Sequence, residues 1–169
     1  ADAGFIGLPN AGKSSLLNAL TNAGAKVGDY PFTTLDPNLG AFHGYVLADI
    51  PGLIEGASEG KGLGDKFLRH ITRTKLLVHC ISAELEDPFK AYDSIRDELK
   101  AFDPALAEKS ELVVLTKADT VSTDVLLERR KVFSKQNLSV TDVTVLDDAS
   151  VKTFADMLIR TLRSETKKL

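Results

Sequence analysis

The chain has 169 residues, 43% hydrophobic and 27% charged, a size that predicts one domain with a buried core and excludes two ordinary domains. A formal net charge of −3 gives no overall field that would favour DNA or an anionic membrane, so we expect neither as a partner. No apolar run approaches the roughly 18 residues of a membrane span. The single cysteine cannot form an internal disulfide, which favours the cytoplasm.

Short apolar runs alternate with amphipathic helical patterns along the chain. Strands are predicted at 4–8, 76–82, 111–116 and 140–146, with two more in 39–50 that turn near Gly44. Helices are predicted at 13–22, 88–102, 123–135 and 151–164. Asp87 and Ser150 are the expected caps of the second and last helices. The alternation predicts an α/β fold, a mostly parallel sheet with helices on both faces, and a ligand beyond the carboxyl ends of the strands.

The sequence begins with Ala-Asp-Ala, without Met, and an apolar strand pattern follows almost at once. We therefore expect residues 1–169 to be a single domain excised from a longer chain, and to be monomeric by itself.

A glycine-rich loop joins the first strand to the first helix. Residues 7–14 read Gly-Leu-Pro-Asn-Ala-Gly-Lys-Ser, the spacing typical of a phosphate-binding loop. Glycines let backbone N–H groups surround phosphate oxygens, and the helix N-terminus adds a positive dipole. Lys13 would bridge the terminal phosphates and the Ser14 hydroxyl would bind Mg²⁺.

Three further segments favour guanine over adenine nucleotides. Asp49 ends a strand, where its carboxylate could hold the Mg²⁺ shell, and the nearby Gly52 N–H could meet a γ-phosphate. A hydroxyl of Thr33 or Thr34 could reach the same ion. Asp119 follows another strand, and its carboxylate could accept hydrogen bonds from N1 and the exocyclic amine of guanine, a pattern that adenine does not present. A lone aspartate at a strand end is more often a helix cap, but the order of these segments favours nucleotide binding.

The order of motifs resembles a Ras-like GTPase, and two segments resemble the Obg family of bacterial ribosome-associated GTPases. These segments are YPFTTLDPNLG at 30–40 and DIPGLIEGASEGKGLGDKFLRHI at 49–71. The resemblance covers nearly the whole chain. It implies the Ras-like fold, a six-stranded sheet with one antiparallel strand. It also implies binding of GTP and GDP with Mg²⁺, slow hydrolysis of GTP, and a role in assembly of the large ribosomal subunit.

The resemblance also assigns residues by position. The implied nucleotide-binding residues are Gly7, Leu8, Pro9, Asn10, Ala11, Gly12, Lys13, Ser14 and Ser15 in the phosphate loop, Phe32, Thr33, Thr34, Leu35 and Asp36 in the first switch, Asp49, Ile50, Pro51 and Gly52 in the second, and Thr116, Lys117, Ala118, Asp119, Thr144, Val145 and Leu146 around the base. Of these, Lys13, Thr34 and Gly52 are implied in catalysis. Mg²⁺ would be held by Ser14, Thr34 and, through water, Asp49.

Two positions depart from the family pattern. The base motif begins with Thr116 where Asn is usual, which would weaken the hydrogen bonds that support Asp119. The last motif is normally Ser-Ala, and the best alignment places Thr144 and Val145 there. These departures bear on nucleotide affinity more than on nucleotide identity.

The residue after Gly52 bears on the rate of hydrolysis. Ras has a glutamine there that orients the attacking water, whereas this chain has Leu53, which cannot hydrogen-bond water. In related GTPases an asparagine at the position of Asn10 helps to hold K⁺. The alternative is an asparagine that is simply tolerated in a tight loop.

Three functions stay open on the sequence: a slow GTPase switch, a guanine-nucleotide sensor with negligible turnover, and a P-loop ATPase. Only the altered base motif favours the third. A basic segment that includes Lys66, Arg69 and Arg73 would contact ribosomal RNA phosphates or form a solvated helix end.

Overall fold

The computed structural model describes residues 1–21, 38–50 and 72–167. Six strands in these residues form one sheet in the spatial order β2-β3-β1-β4-β5-β6. They are β1 (Ala3–Ile6), β2 (Asn38–Phe42), β3 (Tyr45–Asp49), β4 (Leu76–Ser82), β5 (Glu111–Thr116) and β6 (Val140–Asp142). β2 is antiparallel to β3, and the other neighbouring strands pair in parallel. The predicted fold class is therefore confirmed.

Helices cover both faces of the sheet. They are α1 (Lys13–Leu20), α2 (Pro88–Phe102), α3 (Thr123–Lys135) and α4 (Asp148–Lys167), with short 3₁₀ helices at Pro104–Glu108 and Ala118–Thr120. Successive strand residues point to opposite faces, so Phe5 packs with α1 and α4 whereas Ile6 packs with α2. Both faces are thereby filled with apolar side chains. The carboxyl edge of the parallel strands is left for a ligand.

Most of the predicted boundaries are confirmed. The strands at 76–82 and 111–116 and the helices at 88–102 and 123–135 have the expected bounds. Asp87 caps α2 by accepting a hydrogen bond from the Lys90 N–H, and Pro88 occupies the first turn. The hairpin turns at His43 and Gly44, which both have positive φ, as a two-residue hairpin loop requires.

Four predicted elements had the wrong bounds. The first helix covers 13–20 and not 13–22, because Thr21 leaves helical geometry and ends the helix. The first strand covers 3–6 and not 4–8, because Gly7 takes φ 153° and the chain turns, with the Ala11 N–H donating to the Leu8 carbonyl. The last strand covers 140–142 and not 140–146, because Thr144 leaves the ladder. The last helix covers 148–167 and not 151–164, so Ser150 lies inside it and does not cap it.

Among the described residues, no helix combines the length and the apolar composition that crossing a membrane would require.

Candidate functional site

The loop between β1 and α1 depends on two glycines. A side chain at Gly7 would overlap the Cys80 carbonyl oxygen of the neighbouring strand, and the backbone at Gly12 takes φ 82°. Gly12 stands immediately before α1, whose first-turn N–H groups have no acceptor within the helix. The loop therefore presents backbone donors and a helix N-terminus to the carboxyl edge, as a phosphate group requires.

Lys13, Ser14 and Asp49 meet at this loop. The Lys13 Nζ donates to the Gly7 carbonyl at 3.2 Å and lies 3.9 Å from Asp49 Oδ1. The Ser14 hydroxyl donates to Asp49 Oδ2. Asp49 sits at the end of β3, opposite Phe5 of β1, which brings its carboxylate beside the loop. Two residues 35 positions apart in the sequence are thus in contact.

The donor set fits Mg²⁺. Asp49 is buried, and its Oδ1 has no hydrogen-bond partner among the described residues. An unsatisfied buried carboxylate oxygen is costly unless it binds a cation or water. The described residues contain no cluster of three or more His, Cys, Asp or Glu side chains that could hold a metal. Mg²⁺ does not need one, since it commonly binds one or two protein oxygens together with waters and phosphates.

At the other end of the edge, Thr116 links β5 to the phosphate loop. Its hydroxyl donates to the Ala11 carbonyl at 2.6 Å and lies 3.3 Å from the Ile81 carbonyl. These bonds do not reach Asp119, so the expectation that threonine weakens the hydrogen bonds supporting that carboxylate stays a prediction. The shorter side chain reaches the loop because the Gly12 backbone lies against it.

Lys117 and Asp119 follow Thr116. The Lys117 Nζ donates to the Asn10 carbonyl at 2.8 Å and lies 3.8 Å from a Glu84 carboxylate oxygen. The Asp119 carboxylate is exposed, and its Oδ1 accepts a hydrogen bond of 2.7 Å from the Thr144 hydroxyl. Thr144, which the alignment places in the last base motif, therefore lies against the Asp119 carboxylate.

Two adjoining cavities lie along this edge. One, of about 410 Å³, is lined by residues of the phosphate loop together with Asp49 and Lys117. The other, of about 200 Å³, is lined by Asp119, Val145, Leu146 and their neighbours. Gly12, Ser15 and Lys117 line both cavities. The edge therefore offers a polar compartment beside Lys13 that continues into a more apolar compartment beside Asp119.

Some predicted site residues lie elsewhere or outside the described residues. Leu8, Pro9, Ile50 and Ala118 line neither of these two cavities. Leu8 and Pro9 instead line a third cavity, of about 390 Å³, with His79 and Cys80. The predicted residues outside the described part of the chain are Phe32, Thr33, Thr34, Leu35, Asp36, Pro51, Gly52 and Leu53.

The predicted basic segment is described only in part. Lys66 and Arg69 lie outside the described residues. Arg73 is exposed, and Lys75, beside it, pairs with Asp2 at 3.4 Å.

Residues that no sequence motif singled out also line the more apolar compartment beside Asp119. Leu16, Thr120 and Val143 contribute to its walls. Leu16 is a core residue of α1, and no sequence motif marks Leu16, Thr120 or Val143 as wall residues. Thr120 and Val143 follow β5 and β6, so their positions depend on how these two strands pair.

Cys80 lies under the loop but is not a candidate nucleophile. Burial raises the pKa of its thiol to about 12, so the thiolate required for nucleophilic chemistry is not formed near neutral pH.

Comparison with known proteins identifies the family of the chain. The profile of the family described as "50S ribosome-binding GTPase" matches residues 2–117. The protein "GTPase Obg" of Desulfotalea psychrophila is 54% identical over 129 residues, which are 73% of this chain and 35% of that protein. The chain thus spans about a third of the length of this relative.

Solved structures share the fold at lower identity. The G domain of the T. maritima FeoB iron transporter is 19% identical, with a TM-score of 0.64 over 97% of each chain. A point variant of Aquifex aeolicus Era, bound to GDP and AlF₄⁻, is 21% identical, with a TM-score of 0.62 over 91% of this chain and 55% of that one. These two likenesses concern the fold. The match to the family profile, together with the identity to GTPase Obg, shows that this chain belongs to the Obg family of P-loop GTPases.

Proposed function

We propose that residues 1–169 form a single G domain that binds GTP and GDP with Mg²⁺ and hydrolyses GTP slowly, as a molecular switch. The observation that carries this proposal is that the two compartments adjoin to form one cleft, with Lys117 in the lining of both. Lys13 and Asp49 line the polar compartment, here called the phosphate compartment. Asp119 lines the more apolar compartment, here called the base compartment. This arrangement suits a purine nucleotide whose base and phosphates are recognised separately.

The base compartment supports guanine. The exposed carboxylate of Asp119 can accept two hydrogens from N1 and the exocyclic amine of guanine. The apolar side chains of Val145 and Leu146 are 40% and 79% exposed, which leaves them free to pack against the planar base. An adenine ring would present an acceptor at N1, which a carboxylate repels.

The phosphate compartment supports Mg²⁺ and phosphoryl transfer. Ser14 and Asp49 would hold the ion, with Thr34 as a further proposed ligand. The ion would neutralise charge that develops on the phosphate oxygens. Lys13 has the reach to contact the terminal phosphates, and Gly52 would donate its N–H to the γ-phosphate.

Hydrolysis is proposed to be slow because Leu53 stands where a water-orienting glutamine would be. A rate near the intrinsic Ras scale of about 10⁻⁴ s⁻¹ is expected without another positioned group. The exposed Asn10, held at φ 66°, borders the phosphate compartment and is the proposed K⁺ ligand. If K⁺ contributes nothing, the second candidate function is a nucleotide sensor with negligible turnover.

The biological role is proposed from the relatives. The matching family is described as binding the 50S ribosome, which supports the large ribosomal subunit as a partner. A cytoplasmic location and a monomeric domain accompany this proposal.

The first experiment measures binding of fluorescent GDP with Mg²⁺, using GDP, GTP and ATP as competitors. We expect displacement by the two guanine nucleotides and not by ATP. Asp119→Asn should abolish this preference, whereas Asp124→Asn, an acidic residue in the first turn of α3, should preserve it. Equal displacement by ATP, or no binding of GDP, would contradict the proposal and leave the P-loop ATPase as the alternative.

A second experiment separates the switch from the sensor. Phosphate release from GTP is measured in KCl and in NaCl at equal ionic strength, for the natural chain and for Asn10→Ala. We expect faster release in KCl for the natural chain only. Equal rates in both salts would exclude the K⁺ role, and release no faster than from GTP alone would favour the sensor.

A further inference from the structure

The turn between β6 and α4 contains a relay of hydrogen bonds that ends at Asp119. The Ser150 hydroxyl oxygen accepts a hydrogen bond of 3.0 Å from the Thr144 N–H. The Thr144 hydroxyl in turn donates to Asp119 Oδ1 at 2.7 Å and accepts from the Leu146 N–H at 3.2 Å. Ser150 is thus joined to the base-facing carboxylate through one intervening residue.

Asp119 needs such support because it is exposed and lies in a 3₁₀ helix of three residues. An exposed aspartate can sample several side-chain rotamers, and each lost rotamer costs free energy when a ligand binds. The bond from Thr144 restricts one carboxylate oxygen before the nucleotide arrives. Both oxygens keep acceptor sites for the base, because each carboxylate oxygen can accept two hydrogen bonds.

Thr144 is itself in a turn, so its hydroxyl is only as well placed as its backbone. The bond to Ser150 attaches that backbone to α4. This helix is anchored to the core by Phe154, Leu158 and Leu162, which are fully buried. The relay therefore connects the carboxylate to a fixed part of the fold.

Helix capping does not account for Ser150. Asp147 already caps α4, since its carboxylate accepts from the Ala149 N–H at 3.0 Å and its carbonyl accepts from the Val151 N–H at 3.1 Å. Ser150 stands third in the helix, and its hydroxyl serves the turn before it.

We infer that Ser150 is a positioning residue for base specificity, which acts through Thr144 to hold the Asp119 carboxylate toward the exocyclic amine of guanine. This inference rests on the proposed function, because it assumes that the base compartment binds guanine.

The test compares GDP with IDP, whose hypoxanthine base lacks the exocyclic amine. Binding of each nucleotide with Mg²⁺ is measured by calorimetry for the natural chain and for Ser150→Ala. We expect the preference for GDP over IDP to fall by about 5-fold in the variant, because one supporting hydrogen bond is lost. Ser150→Thr keeps the hydroxyl and should retain most of the preference.

Thr153→Ala is the matched control. Thr153 lies in the same helix, and its hydroxyl donates to the Ala149 carbonyl at 2.9 Å without contact to the turn. The control should keep the natural preference. An equal fall in the control, or in the affinities of Ser150→Ala for both nucleotides, would overturn the inference and indicate a general structural role.

Thr144→Val provides a second route that does not depend on Ser150→Ala folding well. It should lower the preference for GDP at least as much as Ser150→Ala, and the double variant should fall no further than Thr144→Val alone, because both changes interrupt one relay. Additive losses would overturn the inference. Equal affinity of the natural chain for GDP and IDP would also overturn the inference. Absence of GDP binding to the natural chain would contradict the proposed function itself, which distinguishes the two failures.

Discussion

Thr116 shows how one side chain can couple the two halves of the cleft. It ends β5, opposite Ser82 of β4, and its hydroxyl bonds to the Ala11 carbonyl of the phosphate loop. The side chain is buried, so this carbonyl has no ready access to water as a substitute partner. The conformation of the phosphate loop therefore depends on a residue of the base motif.

Thr116→Val should remove this coupling while preserving the shape of the side chain. We expect the affinity for GDP to fall by about 5- to 30-fold, because a buried carbonyl loses its partner at a cost of about 1–2 kcal/mol. The measurement is the dissociation constant of fluorescent GDP. Thr141→Val is the control, since the Thr141 hydroxyl contacts only the weak acceptor Met157 Sδ among the described residues, at 3.3 Å. An unchanged affinity in Thr116→Val would show that the loop holds its shape without β5.

Asp49→Asn should remove the dependence of nucleotide binding on Mg²⁺. The buried Oδ1, which lacks a hydrogen-bond partner among the described residues, would become part of a neutral amide, a poor ligand for a hard cation. We expect the ratio of GTP affinities with Mg²⁺ and with a chelator to fall at least about 10-fold, given the cost of leaving a charge uncompensated. A ratio equal to that of the natural chain would place the ion elsewhere.

At the residue scale, the sequence predicted the loop between β1 and α1 well. The spacing of its glycines, lysine and serine directly determines which groups stand at the N-terminus of the helix. Lys13 and Ser14 need only a strand before them and a helix after them. The Thr144 contact with Asp119 was not predicted, since it spans 25 positions and depends on how β6 lies beside β5; the alignment placed Thr144 only in the base motif. Ser150 carried a helix-cap signal and was misassigned for that reason.

At the scale of elements, a buried polar cluster attaches α2 to the sheet. Glu111 of β5 contacts the ring Nδ1 of His79 and the guanidinium of Arg96, each at 3.3 Å. Arg96 also donates to the Ala107 carbonyl, and Tyr92 stacks on the His79 ring. Burial raises the pKa of Glu111, but its contacts with His79 and Arg96 outweigh burial and leave the pKa below 4.5.

Glu111→Gln should destabilise the domain by about 1–3 kcal/mol near pH 7, because it removes the carboxylate charge that pairs with the partly buried Arg96 guanidinium. The sign of the pH dependence follows from the lowered pKa. The contribution of the carboxylate is complete above the unfolded pKa of about 4.5 and is lost as the pH falls through the lower folded pKa. The difference between the natural chain and the variant should therefore shrink in acid.

Chemical denaturation of both proteins at several pH values measures this difference. Asp142→Asn is the control, because Asp142 pairs with Arg130 at 2.7 Å on the surface and should contribute less than about 1 kcal/mol. A difference that stays constant down to about pH 3 would contradict an ionised Glu111 in the folded protein. The two variants thus compare a more buried ion pair, whose carboxylate lies in β5, with a more exposed one, whose carboxylate lies in the adjacent β6.

The elements themselves differed in how well the sequence predicted them. α2 carries a cap, a proline at its first turn and a regular apolar face, and both ends agree with the prediction. β6 was predicted four residues too long, because Val145 and Leu146 continue an apolar pattern but lie exposed beside the base compartment. Apolar residues that lie exposed beside a cavity cannot be distinguished from the residues of a strand by periodicity alone.

At the scale of the whole molecule, the cleft is assembled from segments that the sheet order brings together. β1 stands between β3 and β4, which places the phosphate loop beside Asp49 on one side and toward Thr116 on the other. Sequence patterns predict parallel strands, but they contain no direct record of this order. The family resemblance supplied a six-stranded sheet with one antiparallel strand, which the structure confirms, but it gave no strand order.

The cleft is lined by residues of α1, β3, β5 and the turn after β6. Binding of GDP should therefore stabilise the domain in a single cooperative unfolding transition. At a free GDP concentration about 100 times the dissociation constant, linkage predicts about 2.7 kcal/mol of added stability. For a chain of this length that corresponds to a rise of about 5–10 °C in the melting temperature. Differential scanning calorimetry with Mg²⁺ measures the rise, with equimolar ADP as the control ligand and Asp119→Asn as the control protein. A second transition that GDP leaves unmoved would show that part of the chain folds independently of the cleft, and an equal rise with ADP would contradict reading of the base by Asp119.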